Sequence, residues 1–425
     1  MQHEENWIIL AEILGPRSAQ LKPLIEAFGT PEAIFSADEE AVTAVLPHIG
    51  AGTLKALRSK KGAQAAHSVV LWCHGNGVRI LTLDSPEYPA VLRELDEPPA
   101  VLYCRGKLPP FDQLASVSVV GTRRVDAYGA QVAYKLSFEL AAAGAVIVSG
   151  MADGIDGIAT AAALNAGGIP IAVLGCGIDV TYPRHHGKLM AECIQRGAVI
   201  TEYPPGTPPN GYNFPVRNRL ISALGDALLV VEAGERSGAL ITARYALMQG
   251  RALFAVPGDI TAERSMGTNR LLQAGARPAL SAEDVLSPLR ARYHTALSDQ
   301  ALLEAAQYSA LTAEALAPFG MRCDLSPDAE KQEKPQRTKQ KKSKRREQKQ
   351  EAAPQAPAQR EPQATDTSML SARQQQLYAL LPDTPFTVDL LTEQGVPVSE
   401  AVGTLTVLEI YGLLASRPGG VYVKK

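Results

Sequence analysis

Six glycine-rich loops in the middle of the chain carry arginine, serine, threonine and asparagine. Glycine lets a backbone approach an anion closely, and backbone amides, hydroxyls and guanidinium groups can then donate hydrogen bonds to phosphate oxygens. This combination predicts a rim of phosphate-binding loops. The loops are Gly121-Thr-Arg-Arg124, Ser149-Gly-Met-Ala-Asp-Gly-Ile-Asp156, Gly175-Cys-Gly-Ile-Asp-Val-Thr-Tyr-Pro183, Asn213-Phe-Pro-Val-Arg-Asn-Arg219, Glu232-Ala-Gly-Glu-Arg-Ser-Gly238 and Gly267-Thr-Asn269.

Three arginines and one aromatic residue lie in or beside these loops: Arg123, Phe214, Arg217 and Arg219. A planar guanidinium can hold a phosphate with two hydrogen bonds, and an aromatic ring offers a face on which an unpaired base stacks. The set therefore favours single-stranded nucleic acid as the ligand. An alternative remains open, in which Arg217 and Arg219 form surface salt bridges and Phe214 belongs to the core.

Signals for a nucleotide cofactor are weak. The loop from Gly121 to Gly129 has two arginines where a dinucleotide-binding loop has its further glycines, and no Gly-x4-Gly-Lys-Ser/Thr sequence occurs anywhere. We therefore expect no cofactor.

Catalytic and metal-binding signals are no stronger. The adjacent pair His185-His186 has no standard metal-ligand spacing, and an exposed helix start explains it about as well. Cys176 between two glycines has no base that the sequence can place beside it. Asp153 and Asp156 are expected to cap the following helix or to order the loops. No catalytic residue and no metal ligand are assigned.

The elements that must position these loops are short β-branched runs that alternate with alanine-rich helical segments. Nearly continuous hydrophobic strands of this kind are typical of a parallel sheet covered on both faces. The pattern predicts a doubly wound α/β domain, in which ligands bind outside the carboxyl ends of the strands. The predicted strands are 118–121, 145–149, 170–174, 198–200, 227–231 and 253–256.

Composition and periodicity predict five segments along the 425 residues. Helical spacing of apolar residues comes first, and an extended lead-in from Tyr88 to Tyr103 precedes the first strand of the α/β domain. The sequence from 324 to 366 has almost no apolar residues and is predicted to be a disordered linker. Three helices and a β-hairpin with a Pro-Gly-Gly tip then indicate a winged helix. The segments are 1–80 (helical, of the helix-hairpin-helix or SAM-like type), 81–290 (α/β), 291–320 (helical extension), 321–369 (basic disordered linker) and 370–425 (winged helix).

Charge is unevenly distributed along the chain. The formal net charge is −2, but residues 331–349 contain ten Lys or Arg and two Glu, so this stretch is +8 and the remainder is −10. Net charge therefore argues against indiscriminate coating of duplex DNA and leaves room for a focused basic pocket.

The five cysteines show no disulfide or zinc pattern, and no apolar run has the roughly 18 residues that span a bilayer. We expect a cytoplasmic protein that does not bind membranes.

At the six loops and at Phe254-Ala-Val-Pro-Gly258 the sequence resembles the DNA-processing protein A (Smf) family. The resemblance covers about 170 residues in seven ordered motifs, and the flanking segments fit as well. It implies an extended Rossmann-like fold and a protein without enzymatic activity. Such a protein binds incoming single-stranded DNA during natural transformation, protects it, and helps to load the RecA recombinase as a homodimer.

The resemblance also implies a set of DNA-binding residues. The pattern departs at His186, where members often carry Asn, and at Pro209-Asn210, where they often carry a basic residue, so Lys188 is included as a replacement for the lost charge. The predicted contacts are Gly121, Arg123, Gly150, Lys188, Phe214, Arg217, Arg219, Ser237, Gly267, Thr268 and Asn269.

Two other functions remain possible at this point. Nucleotide phosphoribohydrolases build a similar phosphate rim, but the stretch from Glu232 to Gly238 lacks their Pro-Gly-Gly-x-Gly-Thr-x-x-Glu sequence. The winged helix could make the chain a sequence-specific regulator. Against this, the predicted recognition helix 399–411 contains Glu400 and Glu409 and no Lys or Arg, which is unfavourable for a DNA groove.

Overall fold

The computed structural model describes residues 1–321 and, further along, 372–387, 390–391, 396, 401, 404–405, 408, 413–417 and 421–424. The chain forms two compact units, Met1–Glu333 and Lys334–Lys425. The predicted linker, 321–369, lies outside the described residues except for its first position. No helix within the described ranges is both long enough and apolar enough to cross a membrane.

The first unit begins with short helices whose ends are set by local sequence. Gly29, at φ 79°, ends the second helix, and the side chain of Thr30 accepts a hydrogen bond from the Ala33 amide to begin the third. The predicted boundary after residue 80 falls inside a strand, so the helical and α/β segments are continuous in one unit. The helices are α1 Gln2–Leu14, α2 Leu21–Phe28, α3 Pro31–Ser36, α4 Glu39–Val45, α5 Ala51–Ser59 and α6 Ala63–Gly75.

A nine-stranded sheet follows, in the order β1-β2-β6-β5-β4-β3-β7-β8-β9. Seven neighbouring strands of this sheet pair in parallel, in the order β6-β5-β4-β3-β7-β8-β9. This parallel arrangement confirms the predicted doubly wound fold. The strands are β1 Arg79–Thr82, β2 Val101–Gly106, β3 Ser116–Val120, β4 Val146–Ser149, β5 Pro170–Val173, β6 Ala198–Thr201, β7 Ala227–Val230, β8 Ala252–Ala255 and β9 Arg277–Pro278.

The segment predicted as an extended lead-in, Tyr88 to Tyr103, is not extended throughout. It contains the helix α7, Ala90–Arg93, and it ends in β2, which pairs antiparallel with β6 and so extends the sheet. β1 pairs antiparallel with β2 beyond it. The prediction missed these strands because their hydrophobic runs are short, and because the paired prolines Pro98-Pro99 directly before β2 indicated irregular structure.

Helices cover both faces of the sheet, and strand residues alternate between the two cores. In β4, Val146 and Val148 pack into one core and Ile147 into the other. The α-helices after α7 are α8 Ala127–Ala142, α9 Ile155–Asn165, α10 Gly187–Arg196, α11 Asn213–Leu224, α12 Ala239–Met248, α13 Met266–Gln273, α14 Ala282–Leu286, α15 Arg290–Tyr293, α16 Asp299–Ala305 and α17 Ala313–Leu316. Short 3-10 helices span Arg184–His186, Glu263–Ser265, Ser287–Leu289 and Ala317–Phe319.

The order of the strands creates a switch point next to β3. The chain runs from β3 through β4, β5 and β6 to one side, and β7 then pairs with β3 on the other side. The loops that leave β3 and β7 therefore diverge and open a crevice at the carboxyl ends of these strands.

The second unit contains a helix and a small antiparallel sheet. The helix α18, Ala372–Leu380, agrees with the first of the three helices predicted for the winged helix. The strands β10 Phe386–Thr387, β11 Leu414–Arg417 and β12 Val421–Lys424 pair in the order β10-β12-β11, and β11 and β12 form the predicted hairpin. Its Pro-Gly-Gly tip and most of the predicted recognition helix lie outside the described residues.

Candidate nucleic-acid interface

A cleft of about 1090 Å³ lies at the switch point. Its walls are the loop after β3, the loop after β7 and the first turns of α11 and α12, so it occupies the position that a doubly wound sheet offers to a ligand. On α11 the lining residues are Phe214, Pro215, Arg217, Asn218 and Ile221. All of them except Pro215 are spaced at i, i+3, i+4 and i+7 and so lie on one face of the helix.

Phe214 is half-buried at the start of α11 and is surrounded by cationic and aromatic groups. The guanidinium carbon of Arg123 lies 4.9 Å from the centre of the ring, and that of Arg217 lies 5.9 Å from it. The ring of Tyr182 is 5.5 Å away and tilted by 33°. A Cβ at Gly175 would lie only 2.8 Å from the Phe214 ring, so glycine is needed for the ring to pack there.

Arg217 lies beneath the cleft, with 3% of its surface exposed. It donates hydrogen bonds to the carbonyl oxygens of Gly150, at 2.9 Å, and Val173. Burial lowers the pKa of Arg217 to about 10, although the facing carboxylate of Asp156 opposes this shift. Arg217 thus remains cationic at neutral pH and contributes its charge to the cleft from below.

Arg219 is not brought into the cleft. Two positions along an α-helix correspond to about 200°, so Arg219 points away from the face that carries Arg217. Its guanidinium lies 2.6 Å from Oε2 of Glu202, and both side chains are buried. The sequence had left open a surface salt bridge for Arg219. The structure contains a salt bridge at this residue, but it lies inside the protein.

Three of the predicted glycine and serine contacts lie in or against the cleft. Gly121 and Ser237 line it directly, on the loops after β3 and β7. Gly150 supplies the carbonyl that holds Arg217. Its Cα has no room for a side chain, because a Cβ would lie 2.4 Å from Asp156 and 2.7 Å from Arg217.

The remaining four predicted residues lie away from the cleft lining. The Gly267 amide donates to the Ala233 carbonyl, and Thr268 is buried. The Asn269 side chain both accepts from and donates to the Gly258 backbone, so this segment braces the loops after β7 and β8. Lys188 is exposed on α10, near Gly320.

Three cationic residues of the cleft were not among the sequence candidates: Arg124, Arg236 and Arg264. Arg124 and Arg236 are exposed, and within the described ranges neither forms an ion pair. Both lie in glycine-rich loops that the sequence analysis had identified. Their position in these loops was the signal that could have identified them as candidates. Arg264 comes from the 3-10 helix Glu263–Ser265, which carries no such pattern.

The charge of the lining is positive. Five arginines and three acidic residues line the cleft, an excess of two positive charges, and one of the acids, Glu235, is paired with Arg270 at 2.8 Å. A positively charged cleft with a half-exposed aromatic ring can hold phosphates and stack a base. The acids are Asp156, Glu235 and Glu263.

The structure excludes one of the two roles predicted for Asp153 and Asp156, and it shows the environment of Cys176. Neither Asp153 nor Asp156 caps α9, because its first flanking residue is Gly154 and no side chain accepts a hydrogen bond there. Asp156 instead lies in the first turn facing Arg217, and burial raises its pKa. Burial also raises the pKa of the Cys176 thiol to about 11, so it is protonated at neutral pH and a poor nucleophile.

Gly121→Ala should destabilise the cleft, because a Cβ there would lie 2.4 Å from Ile155 and 2.9 Å from the Glu232 carbonyl. We expect a loss of about 1–3 kcal/mol in the free energy of unfolding, as for other overpacked sites. Gly52→Ala is the matched control, since it lies in α5 with open space around its Cα. Equal stability of the two variants in urea unfolding would contradict the tight packing at Gly121.

The fold and the cleft define a Rossmann-like protein with a cationic ligand site at the switch point of its sheet. Residues 79–290 match the family model of the DNA recombination-mediator protein A, and residues 351–420 match that of the DprA winged helix domain. The chain belongs to the DNA-processing protein A (DprA/Smf) family.

Individual relatives agree with this assignment. The DNA processing protein DprA of Bacillus subtilis is 40% identical over 216 residues, which are 51% of this chain and 73% of that protein. The DprA of Streptococcus pneumoniae is 41% identical over 204 residues, 47% of this chain and 70% of that protein. An X-ray structure of DprA from S. pneumoniae matches with a TM-score of 0.58 and 31% identity, covering 66% of this chain and 97% of that one.

Proposed function

We propose that the cleft binds single-stranded DNA without sequence preference. The observation that carries this proposal is the exposed Arg123 guanidinium lying 4.9 Å from the centre of the Phe214 ring, inside a cleft with an excess of arginine. Within the described part of the chain Arg123 forms no ion pair, and the Asp156 carboxylate interacts with it only through space. Its charge is therefore available to a phosphate while the ring is available to a base.

The arrangement favours single strands over duplex for a geometric reason. A base can stack on Phe214 only if it is unpaired and turned out of a helix, because the ring lies within the cleft rather than on a protruding surface. Arg123, Arg124 and Arg236 come from the loops after β3 and β7, on opposite walls. A strand that runs between these walls would present successive phosphates to both.

Family membership supports finer statements within the same proposal. We infer that the chain acts in DNA processing during natural transformation, as a binding protein and not an enzyme, and that it protects the strand and helps to load RecA. We also infer a homodimer from family membership. Two clefts on one strand would then raise the local concentration of the second site.

Phe214→Leu should lower the affinity for oligo(dT). Loss of one stacked base is worth about 1–3 kcal/mol, which corresponds to about 5- to 150-fold in the dissociation constant. Phe138→Leu is the matched control, because Phe138 is also a half-buried aromatic residue but packs on Tyr134 in α8, outside the cleft lining. Fluorescence anisotropy with labelled oligo(dT) measures both. Equal affinity of the two variants would exclude stacking on Phe214.

The proposal as a whole is tested by comparing single-stranded and duplex DNA of the same length, bound to the full chain over a series of salt concentrations. With about three phosphate contacts, log K should fall with log salt at a slope of about −2 for the single strand. Tighter binding of the duplex, or a slope near zero, would contradict the proposal.

A further inference from the structure

Three metal-ligating side chains outside the cleft lining come together next to it. Asp153 lies in the loop between β4 and α9, and His185 and His186 lie in the 3-10 helix that precedes α10. Nε2 of His185 is 2.9 Å from Oδ1 of Asp153, and Nε2 of His186 is 3.9 Å from the same oxygen. One potential ligand atom from each of the three residues falls within 4.8 Å of the others.

His186 is oriented by the protein interior. The sequence suggested an exposed helix start, but only 1% of the His186 side chain is exposed. Its Nδ1 lies 3.0 Å from the Met151 carbonyl oxygen, and because a carbonyl only accepts, Nδ1 carries a proton. In the neutral ring Nε2 then holds a lone pair, and this lone pair faces the Asp153 carboxylate at a distance too long for a hydrogen bond.

A cation between these atoms would satisfy all three groups. Zinc binds imidazole nitrogen and carboxylate oxygen at about 2.0–2.2 Å in a tetrahedral arrangement, which places neighbouring ligand atoms about 3.4 Å apart. The observed distances of 2.9 and 3.9 Å lie on either side of this value. The bond from His186 Nδ1 to a backbone carbonyl is the outer contact that metal-bound histidines usually make.

We propose that Asp153, His185 and His186 form a binding site for a divalent transition metal of the zinc type. Two imidazole nitrogens and one carboxylate oxygen favour zinc, cobalt or nickel over magnesium and calcium, which prefer oxygen ligands alone. The three residues fill three positions of a tetrahedron. Because the side chains of His185 and Asp153 are 55% and 46% exposed, the fourth position faces solvent and can take a water molecule.

The metal would link two segments that shape the DNA cleft. Ala152, the neighbour of Asp153 in the sequence, lines the cleft, and so does Tyr182, three residues before His185. The inference concerns a separate ligand and does not depend on DNA binding, so either proposal can fail without the other.

Zinc binding to the metal-free full chain, measured by isothermal titration calorimetry with zinc chloride, tests the site. The variants are His185→Ala and Asp153→Asn, whose side chains are exposed enough to be replaced without disturbing the core. The matched control is His67→Ala, because His67 is also an exposed histidine beside a carboxylate, with Nδ1 2.8 Å from Oε1 of Glu5, and lies outside the cluster.

We expect the wild-type chain and His67→Ala to bind one zinc ion at the site with equal affinity, and both site variants to bind it at least about 10-fold more weakly. Thermal unfolding without metal should be the same for all four proteins, which separates ligation from folding. A wild-type chain that binds no zinc would overturn the proposal. Wild-type affinity in either site variant would overturn it as well, and would leave the three residues as an ordinary ion pair beside a buried histidine.

Discussion

Arg123→Ala should weaken the binding of single-stranded DNA by the full chain by about 10- to 150-fold. A hydrogen bond to a charged group is worth about 1.5–3 kcal/mol, and Arg123 is exposed and free to make one with a phosphate. The salt slope should become shallower by about 0.7, the value for one phosphate contact on a single strand. The free energy of unfolding should change by no more than about 0.5 kcal/mol, because Arg123 is a surface residue.

The matched control is Arg290→Ala. Arg290 is already paired with Glu283 and Asp299, and it lies outside the cleft lining, so its removal should leave both DNA affinity and salt slope unchanged. Anisotropy titrations at several salt concentrations measure both variants. If Arg123→Ala matched the control in affinity and slope, the phosphate contact would be assigned to the wrong residue.

Arg219→Ala should act on folding and not on the DNA contacts. Removing one member of a buried ion pair leaves the other charge without a partner, which costs about 3–5 kcal/mol of stability. Here the carboxylate left behind is Glu202, whose side chain is only 4% exposed and whose pKa is already raised by burial. Urea unfolding should therefore show a large loss of stability, while the salt slope of the variant under folding conditions stays that of the wild type.

The double variant Arg219→Met with Glu202→Leu distinguishes lost pairing from lost packing. Replacing both charges by apolar side chains of similar size is often neutral or stabilising, so most of the lost stability should return. A double variant as unstable as Arg219→Ala would contradict the buried-charge explanation. A shallower salt slope in Arg219→Ala would instead return Arg219 to the DNA contacts.

The sequence predicted the sheet and the edge of the sheet at which the cleft lies, because both depend on local patterns. Six of the seven parallel strands appear within two residues of the hydrophobic runs that predicted them, whereas β9 was not predicted. The loops around Arg123 and Ser237 meet at the switch point. Phe214 and Arg123 are 91 positions apart, yet the rule that ligands bind at carboxyl ends of strands brought them to one edge.

The burial of individual side chains, and the face of a helix on which each one lies, were harder to predict from the sequence. Arg217 and Arg219 looked equivalent in one loop motif, but both lie within the helix α11, and its period of 3.6 residues places them on opposite faces. That Arg219 meets Glu202, and that His186 is buried against the Met151 carbonyl, depends on contacts between distant segments. No local periodicity encodes such contacts, so these residues could only be placed by the structure.

The most direct measurement is ultraviolet cross-linking of oligo(dT) to the full chain, followed by mass spectrometry to identify the modified peptides. The method reports where the strand lies without altering any residue, and aromatic side chains in contact with bases are its usual targets. We expect adducts on the peptide that carries Phe214, alone or together with the peptide that carries Tyr182. Adducts confined to residues 322–425, which include the basic stretch 331–349, would contradict a DNA site in the cleft.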